Sequence, residues 1–175
     1  MSTTKLRIHT WPDRLLTKAC KKVKVIDEPV RRNLDEMLEL MRQTQGMGLA
    51  ANQVGLRQSL AVIEIPEKVF KLVNPRIKKQ EGSISFLEGC LSFPELEIEI
   101  KRAKKVLVEA HDEHGQKIEI EAEGLLAVIL QHEIDHLQGK IFIERIPFLK
   151  RLQIIPKLKE IAKKTKNGLR EQEKK

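Results

Sequence analysis

Apolar residues recur at helical spacing in two segments near the start of the chain. A short helix is expected directly after Trp11, with Pro12 in its first turn. A longer helix is expected to begin at Asp27, because an aspartate followed by Glu28-Pro29 is typical of a helix start. The buried face of this longer helix follows the i, i+3, i+4, i+7 pattern and is formed by Leu34, Met37, Leu38 and Met41.

Runs of β-branched and apolar residues predict strands in the middle of the chain. Residues 59–65 and 70–73 are expected to be extended, and Asn74-Pro75 is expected to end the second strand. Another short strand is expected at 84–87. The pattern of this region therefore indicates a sheet rather than a further helix.

Alternation of apolar and charged residues predicts three more strands. From Leu96 onward, apolar residues alternate with glutamates, which is typical of a strand with one face in water. Residues 105–110 and 117–122 alternate in the same way on either side of Gly115. A glycine between two such runs predicts a hairpin.

The last third of the chain begins with a segment that is apolar on every side, residues 124–130, which predicts a buried helix. Gly139 is expected to end this helix at the C-cap position. A short extended stretch is expected at 141–146. The residues from Phe148 onward have helical character, and Pro156 is expected to kink or restart that helix.

These elements predict an α+β fold, with mostly antiparallel sheets packed around a central buried helix and a C-terminal helix. The chain has 175 residues, and no repeat or low-complexity linker divides it. We therefore expect one catalytic domain over residues 1–175, with a basic C-terminal tail from about residue 150.

The composition narrows the class of protein further. The chain is 41% hydrophobic and 33% charged, as is typical of a globular protein. Aromatic residues make up only 3% and tyrosine is absent, which argues against a base-stacking surface and a sequence-specific nucleic-acid partner. Since no membrane span, signal peptide or disulfide framework is indicated, we expect a cytoplasmic protein without a membrane partner.

The net charge of +8 is concentrated at the C-terminus. Residues 150–175 contain ten Lys or Arg and three Glu, and 10 − 3 gives +7 for this segment. One interpretation is a solvated helix end. The other is a surface that docks on an anionic partner such as nucleic acid.

The buried helix continues into His132-Glu133-Ile134-Asp135-His136, an H-E-x-x-H motif. Residues four apart lie on one helical face, so His132 and His136 are placed to share one metal ion. Glu133 lies near enough to take a proton from water at that ion. Such polar groups are costly to bury unless they are paired or bind metal. The alternative is a surface helix end with incidental charges.

Two histidines leave a divalent ion short of ligands, since a catalytic site typically has three. Glu144 or Glu160 would supply the carboxylate of a zinc endopeptidase. Cys90 is the other candidate, because it follows a glycine between two predicted strands. Spacing alone leaves these alternatives open.

Three motifs together resemble the peptide deformylase family. Residues 46–53 match G-x-G-L-A-A-x-Q, residues 88–92 match E-G-C-L-S, and residues 131–136 match Q-H-E-x-D-H. The resemblance runs from about Pro12 to the helix after Pro147. One departure is Glu97, where some family members have an arginine that contacts the peptide chain of the substrate.

The resemblance implies removal of the formyl group from the N-terminal methionine of nascent peptides. It implies Cys90, His132 and His136 as ligands of one divalent ion, with Fe²⁺ as the working metal. Zn²⁺, Ni²⁺ and Co²⁺ are also compatible with a thiolate and two imidazoles. The catalytic residues that it implies are Glu133, the Gln53 side chain and the backbone N–H of Leu91, with Glu88 and Arg102 as a supporting ion pair.

Residues expected to bind substrate lie around this centre. Gly46 and Gly48 allow the close approach of a peptide backbone, which would lie alongside as an added strand. The expected walls of a methionine pocket and its surroundings are Phe86, Glu88, Leu125, Val128 and Ile129. Two other hypotheses are an H-E-x-x-H endopeptidase and a metal-stabilised module that binds ribosomes through the basic tail.

Overall fold

The computed structural model of the chain describes residues 6–172, with side chains up to residue 168. The first residues on which the expected absence of a leader depends, 1–5, lie outside the described residues. The last three residues of the basic tail, 173–175, lie outside them too.

Among the described residues, the three α-helices and the first 3₁₀ turn lie where the sequence pattern predicted helices, whereas the other two 3₁₀ turns were not predicted. The order of these helical elements is a 3₁₀ turn at Arg14–Thr17, α1 at Glu28–Gln43, a 3₁₀ turn at Ala51–Val54, α2 at Leu125–Leu137, a 3₁₀ turn at Phe142–Arg145, and α3 at Phe148–Gln172. The predicted start of α1 is confirmed, because the Asp27 side chain accepts a hydrogen bond from the backbone N–H of Val30.

In the part of the chain that the structure describes, seven strands form two antiparallel sheets, so the predicted α+β class with antiparallel sheets is confirmed. The strands are β1 Gly48–Ala50, β2 Leu60–Ile65, β3 Lys68–Glu81, β4 Ile84–Cys90, β5 Phe93–Arg102, β6 Lys105–His111 and β7 Lys117–Glu123. One sheet has the order β1-β2-β3-β6-β7, and β4 pairs with β5 in the other. The predicted hairpin corresponds to β6 and β7, with Gly115 at φ 86° in its turn.

The prediction that Asn74-Pro75 ends a strand was wrong, because β3 continues through these residues. Strand β3 pairs with β2 up to Val73, and its ladder with β6 includes Val73 and resumes at Arg76 after a register shift. Pro75 lies in this interruption of the β6 ladder, where a missing N–H donor is tolerated. The Asn74 side chain further holds the bulge by bonding both the N–H and the carbonyl of Val23 at 2.9 Å.

In the C-terminal third, the prediction of an extended stretch was wrong, and one of the two outcomes expected at Pro156, a restart, is absent. The expected extended stretch is a 3₁₀ turn, which directs Ile141, Phe142, Ile143 and Ile146 into one core instead of to alternate faces. Helix α3 continues through Pro156 without a restart. Pro156 is exposed, so water can reach the carbonyl group that loses its helical donor.

Two hydrophobic cores meet at α2, and this arrangement positions the site. The larger core joins α1 and the five-stranded sheet to the apolar residues of α2. The smaller core joins β5, the turn at Phe142–Arg145 and Ile161 of α3. Residues Ala127–Leu137 of α2 are all buried. The polar end of α2 is therefore enclosed by both cores, away from bulk water.

Candidate metal centre

Three donor atoms converge between α2 and the end of β4. The Nε2 atoms of His132 and His136 lie 3.2 Å apart, and the Sγ of Cys90 lies 3.3 Å from Nε2 of His136. All three donor atoms lie within 4.8 Å of one another. The structure thus brings together the cysteine and the two histidines named from the sequence.

Local geometry explains this convergence. His132 and His136 lie one turn apart on α2, so both rings leave the same face of the helix. Cys90 is the last residue of β4, and the ladder with β5 shifts register between Gly89 and Cys90. This irregularity frees Cys90 from the regular alternation of the strand, and its thiol meets the helix.

The separations fit a single bound cation. A tetrahedral ion with metal–nitrogen bonds of about 2.0–2.1 Å and a metal–sulfur bond of about 2.3 Å keeps these donors about 3.3–3.6 Å apart. Burial lowers the pKa of His132, but hydrogen bonds to Cys90 and Glu88 outweigh burial and raise it to about 10. The surroundings of His132 therefore favour a positive charge at this point.

A buried network of carboxylates and guanidinium groups supports His132. Its Nδ1–H donates to Oε2 of Glu88 at 2.9 Å, which leaves Nε2 free to bind a metal. Glu88 also accepts two hydrogen bonds from Arg102, which donates a third to Asp135 at 2.7 Å. Burial raises the pKa of Glu88, but the hydrogen bonds from Arg102 and His132 outweigh it and keep the pKa below its ordinary value. Arg145 closes the network through two hydrogen bonds to Asp135.

Glu133 lies beside the three donor atoms and is buried. Burial raises the pKa of its carboxyl to about 7, although the positive charges of His132 and Arg102 oppose the shift. Its Oε2 has no hydrogen-bond partner within the described residues. A carboxylate that titrates near neutrality and has one oxygen free is suited to take up and return a proton.

Gln53 is oriented towards the loop that carries Cys90. Its Oε1 accepts a hydrogen bond from the backbone N–H of Ala50 at 2.9 Å, which fixes the side chain. Its Nε2 donates to Oγ of Ser92 at 3.1 Å and lies 3.5 Å from Sγ of Cys90. In sequence, Leu91 lies between Cys90 and Ser92, directly after β4. The Gln53 amide and the Leu91 backbone therefore flank the same space.

A cavity of about 780 Å³ opens beside the three donor atoms. The sequence-predicted residues that line it are Gly46, Gly48, Gln53, Phe86, Glu88, Cys90, Leu91, Leu125, Val128, Ile129, His132 and Glu133. His136 lies behind this surface and is buried. The cavity therefore joins the apolar walls expected for a methionine side chain to the polar groups of the centre.

The alternative third ligands lie elsewhere. Glu144 accepts a hydrogen bond from the backbone N–H of Ile141 at 3.4 Å, and Glu160 pairs with Lys157 and Lys164 on the surface of α3. Within the described residues, neither belongs to a group that could hold a metal with the two histidines.

Sequence reasoning missed three residues that support the site. Ser92 accepts from Gln53, and Arg145 completes the carboxylate network. The Asn52 amide donates to the carbonyl groups of His136 at 2.6 Å and Leu16 at 3.2 Å. Asn52 and Ser92 fall within the motifs at residues 46–53 and 88–92, so these motifs could have identified both residues as part of the site. Nothing in the sequence around Arg145 indicates its partner.

An α+β fold with a cysteine–histidine–histidine group beside a buried glutamate is typical of a metal-dependent hydrolase. The model of one family, polypeptide deformylase, matches residues 5–152. The peptide deformylase of Aquifex aeolicus is 40% identical over 165 residues, which cover 91% of this chain and 98% of the relative.

Solved structures agree with this match. A peptide deformylase from Legionella pneumophila has a TM-score of 0.85 and 40% identity, and the match covers 90% of this chain and 95% of the other. A peptide deformylase from Ehrlichia chaffeensis in complex with actinonin has a TM-score of 0.84 and 36% identity, covering 89% and 96%. The chain belongs to the peptide deformylase family, and neither the endopeptidase nor the non-catalytic alternative is supported. Within the described residues, no helix combines the length and apolar character needed to cross a bilayer.

Proposed function

We propose that this protein removes the N-formyl group from the N-terminal methionine of newly made peptides in the cytoplasm. The observation that carries the proposal is the convergence of the Cys90, His132 and His136 donor atoms beside Glu133, at the wall of an apolar cavity. Family membership supports the same reaction. The whole chain acts as one catalytic domain.

Cys90, His132 and His136 would hold one divalent ion, with Fe²⁺ as the expected metal in the cell. Zn²⁺, Ni²⁺ and Co²⁺ suit the same thiolate and imidazole donors. When bound, such an ion supplies positive charge that acidifies water and polarises a carbonyl group. Glu88 acts indirectly, since its hydrogen bond keeps the Nε2 lone pair of His132 directed at the centre.

Glu133 moves the proton in this reaction. Water adds to the formyl carbon as Glu133 takes one of its protons, and the C–N bond then breaks as the proton passes to the leaving amine. The products are formate and a peptide with a free N-terminus. A pKa of about 7 suits both proton transfers, because the ideal acid–base group titrates near the working pH.

Gln53 and Leu91 stabilise the charge that develops on the formyl oxygen. The Gln53 amide needs only to exchange its hydrogen bond with Ser92 for one to the substrate. The backbone N–H of Leu91 is the second donor. Losing one donor of this kind typically costs about 2.7–4 kcal/mol of transition-state stabilisation.

The peptide lies along Gly46 and Gly48 as an added strand, and the methionine side chain enters the apolar part of the cavity. Val128 is 2% exposed and lines this part together with Phe86, Leu125 and Ile129. Val128→Asp should raise KM steeply for formyl-Met peptides. An unchanged KM in the folded variant would exclude Val128 from the pocket.

Metal analysis of anaerobically purified protein, beside a formyl-Met peptide assay, tests the proposal directly. One divalent ion per chain and formate release are expected. Cys90→Ser should lose the metal, whereas Cys20→Ser, the matched control, should retain it because Cys20 lies outside the group. Glu133→Ala should fold and bind metal without turnover. A Glu133→Ala variant with undiminished turnover would contradict the assignment of the base.

The proposal also includes docking of α3 on the ribosome, because residues 150–175 carry +7 of the net charge of +8. Truncation is unsuitable as a test, since Ile161 of α3 is buried in the smaller core. Neutralising the exposed Lys150, Lys159, Lys163 and Lys166 to glutamine retains that packing. This variant should keep peptide turnover and lose salt-sensitive cosedimentation with ribosomes. Binding that survives neutralisation would exclude α3 as the docking surface.

A further inference from the structure

Negative charge dominates the lining of the cavity. Four glutamates line it, and no lysine or arginine of the described chain does so. The lining glutamates are Glu88, Glu95, Glu97 and Glu133. A cleft with charge of one sign favours ligands of the opposite sign.

Three of these carboxylates are already engaged. Glu88 is paired with Arg102, and Glu133 is the proposed base. Glu95 is paired with Lys157 and Lys164 of α3. Glu97 differs, because its side chain has no ion pair among the described residues. It is therefore the one lining carboxylate whose charge is available to a ligand.

Glu97 lies at the rim of the cavity, close to the metal centre. It is exposed on β5 and pairs across the hairpin with Gly89 of β4, the residue before Cys90. Gly89 has no side chain, and a Cβ built there would lie 3.8 Å from Cγ of Glu97. Because Gly89 has no side chain, it does not cover the Glu97 carboxylate, which extends across β4.

Backbone dimensions indicate which part of a peptide would pass Glu97. Paired residues on antiparallel strands lie about 5 Å apart. Consecutive strand residues add about 3.3 Å each, so Glu97 lies roughly 9 Å or less from Cys90 along the backbone. An extended peptide covers that distance in two to three residues. If the formyl group is at the metal centre, one of the two residues after the methionine passes Glu97.

We propose that Glu97 makes this protein select formyl-Met peptides with a lysine or arginine within the two residues that follow the methionine. The inference rests on the proposed function and adds a substrate class to it. The attraction is that of a solvent-exposed ion pair, worth about two- to fivefold in kcat/KM. It should weaken as salt is added, because exposed charges are screened.

Matched formyl-Met tripeptides with Lys, Gln or Glu at the second or the third residue provide the test. For the metal-loaded protein, kcat/KM is expected to fall in the order Lys, Gln, Glu at one of these positions, by about two- to fivefold per step at low salt. The order should flatten at 1 M salt. Equal values for all three side chains at both positions would overturn the proposal.

Charge variants distinguish the effect of Glu97 on substrate preference from the electrostatic field of the rest of the protein. Glu97→Gln should bring the Lys-to-Glu ratio of kcat/KM close to one, and Glu97→Lys should invert it. Glu99→Gln is the matched control, since Glu99 shares the outer face of β5, pairs with Leu87 and does not line the cavity. The control should keep the wild-type ratio. A preference that persists in Glu97→Gln, or that disappears equally in Glu99→Gln, would contradict the proposal.

The same assay distinguishes failure of this inference from failure of the proposed function. Turnover of the Gln peptide without a preference for Lys would reject only the role of Glu97. Absence of turnover for every formyl peptide, in protein that has its metal, would reject deformylation itself and this inference with it.

Discussion

Gly48 lies directly against the carboxylate of Glu133. A Cβ built on Gly48 would overlap Oε1 of Glu133 and lie 2.9 Å from its carboxyl carbon. The sequence predicted the close approach of a peptide backbone at Gly48. In the structure, the atoms closest to the missing side chain of Gly48 belong to the proposed base, so β1 also positions the group that moves the proton.

Gly48→Ala should displace the Glu133 carboxylate without touching Cys90, His132 or His136. A misplacement of about 1 Å can lower kcat about 10²-fold. We therefore expect a loss of that order in formyl-Met peptide turnover, with unchanged metal content. Gly168→Ala, where the added methyl meets nothing within 4 Å, should retain activity. Wild-type kcat in Gly48→Ala would show that the carboxylate adapts.

Arg102→Met should destabilise the fold strongly. Arg102 is fully buried between the carboxylates of Glu88 and Asp135, and its removal leaves two buried negative charges without their shared partner. Such a loss typically costs about 3–5 kcal/mol in the free energy of unfolding. Urea unfolding with a chelator present measures this cost apart from metal binding.

Arg145→Met is the matched control for this network. The Arg145 side chain is 36% exposed, and Asp135 keeps its bond to Arg102 when Arg145 is removed. The expected cost is about 1 kcal/mol or less. Equal destabilisation by the two substitutions would show that the buried position of Arg102 is not what makes it important.

The ion pairs between Glu95 and α3 should make stability depend on pH. Lys157 and Lys164 lower the pKa of Glu95 from 4.5 to about 2. In the window between these values the unfolded chain binds a proton that the folded chain does not, so falling pH favours unfolding. The difference in Tm between the wild type and Glu95→Gln should be full above pH 4.5 and shrink below it. A constant difference for Glu95→Gln would contradict the pairing.

Oxidation should distinguish the two cysteines of the metal-free protein. Burial raises the pKa of the Cys20 thiol to about 11, which suppresses the reactive thiolate. Cys90 lines the open cavity. After mild peroxide treatment, peptide mass spectrometry should find sulfenic or sulfinic acid at Cys90 and an unmodified Cys20. Loading with Zn²⁺, which has no redox chemistry, should protect Cys90, and equal oxidation of both residues in the metal-free protein would contradict this prediction.

Local patterns in the sequence were sufficient for most secondary structure. The i, i+3, i+4, i+7 spacing of apolar residues from Leu34 to Met41 predicted the buried face of α1. The alternation of apolar and charged residues from Leu96 predicted β5. The wrong strand end at Pro75 and the absent restart at Pro156 share a physical cause. Proline lacks an N–H donor, but only the fold decides whether that donor is needed. At Pro75 the ladder with β6 is interrupted by a bulge, and at Pro156 the helix faces water.

The sequence by itself determined that His132 and His136 share a helical face, because a spacing of four residues dictates this in any α-helix. Spacing alone left Cys90, Glu144 and Glu160 open as the third ligand, because spacing carries no information about distant segments, and it was the resemblance of the three motifs that implied Cys90. Only the tertiary structure shows how Cys90 comes to lie near the histidines, because the irregular end of β4 brings its Sγ to 3.3 Å from Nε2 of His136. The pKa of Glu133 likewise depends on burial between two cores, which is a property of packing and not of any local pattern.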